Sequence, residues 1–153
     1  MATPTDVWID VHQERLSLLG LLESLTRPQW RTESLCSEWR VRDVVGHMIR
    51  ATTMTVPNLL VGAISAGFRI NRFIAKDARP QGTNAIPVLL EQFRAAVPTQ
   101  THLPGLSALS MLEDIVIHSL DILRPLKLRQ TTPESRMVLV VGSSAPGHRL
   151  GRR

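Results

Sequence analysis

Four stretches of this chain carry apolar residues at helical spacing, and a proline follows each of them, so the pattern dictates helices before anything else. In the first stretch Val7, Val11, Leu18, Leu19, Leu22 and Leu25 form one stripe, with Asp10, Gln13, Glu14 and Glu23 expected off it. Thr3-Pro4-Thr5-Asp6 supplies its start: a capping hydroxyl, a proline at the first helical position and a carboxylate three residues after the cap. Thr26-Arg27-Pro28-Gln29 repeats that pattern and predicts a break, then a short helical turn containing Trp30. The next helix is expected to begin between Trp39 and Val41, with Asp43 in its first turn, where a negative charge complements the exposed amides. Val44, Val45, Met48, Ile49 and Met54 carry it toward Pro57, which kinks or restarts it.

Residues 64–78 alternate apolar and basic side chains and read as a helix end at the surface. Arg79-Pro80-Gln81-Gly82 is a loop, after which Thr83 or Asn84 is expected to cap a third helix through Val88, Leu89, Leu90, Phe93 and Val97. Pro98 closes that helix, residues 101–105 form another loop, and the fourth helix runs over about residues 106–123 until Pro125 ends it. Leu109, Leu112, Ile115, Val116, Leu120 and Leu123 supply its apolar surface. Four such helices joined by moderate loops imply an all-α fold, a four-helix bundle. The bundle is expected over residues 1–126, with residues 127–153 as a short irregular C-terminal extension. Within the extension Thr132-Pro133-Glu134 starts a further helix, unless the run Met137-Val138-Leu139-Val140-Val141 pairs as a strand; past Gly142 the composition predicts disorder.

At 153 residues and 43% hydrophobic content the chain can bury a sizeable core. Three Trp, three Phe and no Tyr make that core mainly aliphatic. The net charge of +5 is concentrated at the end, in Arg149, Arg152 and Arg153, with no internal block of like charge and no basic patch interleaved with aromatics, so nucleic-acid binding is not expected. The longest apolar stretch, residues 56–68, is shorter than the ~20 residues a membrane span needs. The N-terminus lacks the basic and apolar regions of a signal peptide. A single cysteine, Cys36, permits neither an intrachain disulfide nor a four-thiolate zinc site; the expected setting is a reducing cytoplasm. A homodimer through an apolar helix face is compatible with the pattern but demanded by no particular residue.

The chemistry-bearing residues fall on the second and fourth long helices. Asp114 and His118 are four apart, so one helix face presents both. His47 interrupts the apolar run Val44-Val45-Gly46-His47-Met48-Ile49, where a polar ring must be paired or bound to something. A carboxylate and two imidazoles suit a borderline divalent metal such as zinc and leave a coordination position open. Asp121 is placed to hold the other nitrogen of His118, unless Arg124 pairs with it first. Glu113 competes with Asp114 but diverges from His118 by about 140° around the helix. The same spacing equally fits a hydrogen-bonded Asp114–His118 pair with His47 as a satisfied core histidine.

Trp30, the following Leu35-Cys36-Ser37-Glu38-Trp39-Arg40-Val41-Arg42-Asp43-Val44-Val45-Gly46-His47, and the later Leu112-Glu113-Asp114-Ile115-Val116-Ile117-His118-Ser119-Leu120-Asp121-Ile122-Leu123-Arg124-Pro125-Leu126 resemble the two signatures of the mycothiol-dependent maleylpyruvate isomerase family, within the DinB-like metal-binding helical bundles. The resemblance implies that His47 and His118 are metal ligands. It implies an acidic ligand at Asp114, where the family often has glutamate, one methylene longer. It also implies a divalent metal, commonly zinc in the family, with mycothiol as co-substrate. The activity implied is an isomerisation or S-transfer on a small electrophilic compound. The family's cysteine at Cys36 is not a ligand, and a buried structural thiol is expected there. Relatives continue past the bundle into a further region, so the alternative expectation is a non-catalytic metal-binding or helical interaction protein.

Overall fold

Prolines and caps set where the helices begin and end. The computed structural model describes residues 4–58, 60, 82–102 and 106–144. Six helices are named here: α1 Pro4–Ser24, α2 Arg27–Trp30, α3 Val41–Thr53, α4 Ile86–Ala96, α5 Ala108–Leu123 and α6 Glu134–Ser144. The Thr3 cap, the surface helix expected at 64–78 and the tail from 145 lie outside the described residues. At α2 the backbone amide of Thr26 donates to Gln29 Oε1 at 2.8 Å, half of the capping arrangement its sequence announces. Pro57 restarts the chain rather than kinking it: α3 stops at Thr53, and residues 56–58 form a new turn.

α1, α3, α4 and α5 close into a ring in which α1 packs on α5 and α4, and α3 packs on the same two. This is a four-helix bundle, and its core is the set of stripes read above: Val11, Leu22, Val44, Val45, Leu89 and Leu112 have no exposed surface. Among the described residues the sole β-bridge joins Glu33 to Arg40, closing the loop that enters α3. The ambiguous run at residues 137–141 is helical and belongs to α6, which packs on α5. No helix among the described residues is long and apolar enough to cross a membrane.

Two expectations need correction. The third long helix starts at Ile86 with Ala85 as its N-cap, later than Thr83 or Asn84 would place it. The guanidinium of Arg42 accounts for this, because it donates to the carbonyls of Gly82 and Asn84 and holds that loop against the start of α3. Pro87, with its φ already helical, then fits the first turn. The second correction is Glu14, which lies inside the stripe at 2% exposure. With Val7, Val11, Leu18 and Leu22 it keeps a spacing of three and four, so its position is buried whatever its charge.

Gly82 shows how tightly the α4 approach is built. A Cβ there would stand 2.3 Å from Asp43 Oδ1 and 2.9 Å from Asp43 Cα, the latter being backbone that cannot step aside. Gly82→Ala is therefore expected to destabilise the fold by about 1–3 kcal/mol, the usual cost of overpacking. Chemical denaturation measures it; an unchanged midpoint would show that this approach is loose.

Candidate metal centre

α3 and α5 are packed neighbours in the ring, and that pairing brings His47 to Asp114 and His118. Asp114 Oδ1 lies 3.8 Å from His47 Nε2 and 3.5 Å from His118 Nε2. The two imidazoles stand edge to face with centroids 5.0 Å apart. One donor atom from each of the three residues fits within 4.8 Å of the others, and all three are partly buried. The helical turn between Asp114 and His118 does half of this work locally; the other half needs the tertiary fold. Glu113, one residue before Asp114, is not part of the group.

His118 uses both ring nitrogens. While Nε2 faces Asp114, Nδ1 lies 2.9 Å from Asp121 Oδ2, the contact expected from their spacing. Arg124 does not compete, since it stands exposed at the end of α5. Burial by itself raises the Asp114 carboxyl's pKa. Interactions with His47, His118 and Arg15 outweigh it, so the pKa lies below the ordinary value.

Two contributors escaped the sequence reading, and a third, Cys36, was expected only as a buried structural thiol. Arg15 is 4% exposed on α1; its Nη1 donates to the carbonyls of Ala96 at 3.1 Å and Thr99 at 2.8 Å, satisfying the end of α4. Its charge also acts on Asp114. The available signal was an arginine sitting between Val11 and Leu18 on the apolar stripe, with Glu14 beside it. Trp39 is the second, its ring 5.2 Å from that of His47 and 6.5 Å from that of His118. Cys36 is the third. It is half-buried, not enclosed, and its Sγ lies 3.1 Å from Asp121 Oδ2 and 3.8 Å from His118 Nδ1. Burial, the hydrogen bond to Asp121 and the charges of Asp121 and Asp114 outweigh the opposing bond from Ser34 and push the thiol's pKa up to about 12. The free thiol is thus a poor nucleophile at neutral pH. No local sequence pattern ties Cys36 to a residue 82 positions away.

A cavity of about 680 Å³ opens beside this group, lined by Glu33, Ser34, Cys36, Trp39, Arg40 and Thr83 among others. His47, Asp114 and His118 are not in its lining; Cys36 and Trp39, which line the cavity and contact the rings as well, stand between the two. Its wall carries the cation of Arg40, joined to Asp43 at 2.8 Å, and two further carboxylates, Glu33 and Glu38.

The family model for the mycothiol maleylpyruvate isomerase N-terminal domain matches residues 11–102, well over half of the 153. That span includes His47 and the loop carrying Cys36 and Trp39. Neither a curated protein nor a solved structure matches the chain.

Proposed function

The chain belongs to the mycothiol maleylpyruvate isomerase N-terminal domain family, and from that premise we propose that His47, Asp114 and His118 hold a divalent metal, zinc, for a mycothiol-dependent isomerisation or S-transfer. The observation that carries this reading is the convergence of three donor atoms within 4.8 Å on a carboxylate held ionised. Zinc bonds of roughly 2.0–2.2 Å in tetrahedral array separate neighbouring donors by roughly 3.3–3.5 Å. The separations of 3.5 and 3.8 Å lie close to that span, so the residues fit the group. Two neutral imidazoles and one carboxylate also leave a position for an exogenous ligand.

What such a metal supplies is Lewis acidity, which lets a bound thiol lose its proton near neutral pH. The protein's residues set the conditions for this. Asp114 contributes negative charge between the two rings. Asp121 accepts from His118 Nδ1 and so leaves the Nε2 lone pair turned toward Asp114. Trp39 covers both imidazoles on one side and limits water there. The cavity beyond Cys36 and Trp39 offers polar walls to the rest of a low-molecular-weight thiol, and the small electrophile would meet the sulfur at its mouth. A reducing cytoplasm, where such thiols are kept, is the setting that follows from this chemistry.

Zinc-loaded protein given mycothiol and a panel of small electrophiles, maleylpyruvate included, is expected to consume thiol or isomerise substrate, with activity lost on chelation and restored by zinc. Binding of one zinc per chain with no thiol affinity would overturn the catalytic part. It would favour the alternative of a metal-binding bundle without turnover.

A further inference from the structure

The loop between α2 and α3 bonds twice to one residue of α5, Asp121. The backbone amide of Leu35 donates to the Asp121 carbonyl at 3.1 Å, and the Cys36 thiol donates to Asp121 Oδ2 at 3.1 Å. That same Oδ2 is 2.9 Å from His118 Nδ1. The loop is itself tied internally. Ser34 N and Oγ both donate to the Trp39 carbonyl at 2.8 Å, Cys36 N donates to Ser34 Oγ at 3.1 Å, and Trp39 N donates to the Cys36 carbonyl at 3.1 Å. Glu38 turns it through the left-handed region, φ 67°, which few residues with a side chain adopt. The Cys36 thiol therefore does not reach Asp121 by a free rotamer of an open loop; a closed hydrogen-bonded turn delivers it.

Cys36 Sγ, Asp121 Oδ2 and His118 Nδ1 also satisfy the distance requirement for a second metal group. At 2.9 and 3.1 Å the two contacts to Oδ2 are of hydrogen-bond length, and a proton on the ring nitrogen and one on the thiol account for both without an ion. One carboxylate oxygen accepting from a ring N–H and from a thiol is a relay.

We propose that Cys36 is a positioning residue for the metal centre, its thiol holding Asp121 Oδ2 in place so that His118 keeps its proton on Nδ1 and offers Nε2 to the metal. This rests on the metal-site reading above, and it assigns to Cys36 a task other than filling space. Asp121 fixes the tautomer, because a carboxylate at Nδ1 can only accept. Without the thiol, Oδ2 loses one of its two donors and the carboxyl is free to rotate off the ring. The His118 tautomer then mixes, and the fraction competent to bind metal falls.

Four proteins test this: wild type, Cys36→Ser, which keeps an O–H donor, and Cys36→Val and Cys36→Ala, which have none. Two readouts are needed. Nitrogen-15 NMR of the metal-free proteins reports which ring nitrogen of His118 carries the proton, and competition against a chromophoric chelator gives zinc affinity. The expected result is Nδ1–H in wild type and Cys36→Ser, with a mixed tautomer in Cys36→Val and Cys36→Ala. Zinc affinity should fall about tenfold in the last two, the lower end of what outer partners contribute, and stay within about threefold of wild type in Cys36→Ser. If Cys36 only fills space, Val matches wild type and Ser is the worse variant; that order, or one tautomer common to all four, overturns the proposal. Should wild type bind no zinc, the metal reading fails, and the tautomer series in metal-free protein still decides the relay.

Discussion

Replacing His118 with alanine is expected to weaken zinc binding by more than about 100-fold, beyond the range that partners of a ligand command, so that protein purified without chelator carries no stoichiometric metal. The reason is geometric as well as chemical. His118 supplies one of three donors and is held from both sides, by Asp114 at Nε2 and Asp121 at Nδ1. His47→Ala should lose metal to a similar extent, because Asp114 and His118, one turn apart on α5, make only half of a closed site without a donor from α3. His12→Ala is the matched control. Its ring packs against Trp8, away from the cluster, and metal content should not change. Elemental analysis together with chelator competition measures all three. Retention of one zinc per chain at wild-type affinity in either the His47 or the His118 variant would remove the basis for the proposed chemistry while leaving the bundle intact.

The second large effect concerns α6. Arg136→Ala is expected to cost about 3 kcal/mol, the low end for breaking a buried ion pair from one side. At roughly 2–4 °C per kcal/mol for a chain of this size, Tm should drop by roughly 6–12 °C. The arginine reaches α1 at three residues: Nε to Asp10 Oδ1 at 2.6 Å, Nη1 to Glu14 Oε1 at 2.7 Å, and Nη2 to Gln13. Thr132 Oγ1 occupies the other oxygen of Glu14 at 2.7 Å. Truncating Arg136 leaves a carboxylate at 2% exposure with one neutral partner, and removing a charged partner costs far more than forming the pair gains. A Glu14→Gln, Arg136→Met double variant should regain much of the loss, since no buried charge is then left alone. A Tm within about 2 °C of wild type for Arg136→Ala would place this network among exposed pairs of little worth.

The helices themselves are properties of the sequence. Their stripes repeat at three and four, their breaks follow prolines, and Asp114 with His118 on one face needs no knowledge of anything beyond α5, because a helical turn is local. His47 was legible as a candidate for the same kind of reason, a polar ring within a buried stripe.

What the sequence left open is what depends on neighbours distant along the chain. The run Met137-Val138-Leu139-Val140-Val141 suits a strand or a helix equally, and Arg136 docking on Asp10 and Glu14 of α1 settles it as α6. Glu14 and Arg15 look like surface charges until partners from elsewhere make their burial affordable: Arg136 and Thr132 for the first, the α4 carbonyls for the second. Cys36 becomes part of the site only because the turn from Ser34 to Trp39 lands on Asp121. Local periodicity and capping act over one or two turns, so a single segment suffices to determine them. The pairing of charges and the closing of a site depend on distances through space between segments about 70 to 120 residues apart, and only the packed bundle sets those.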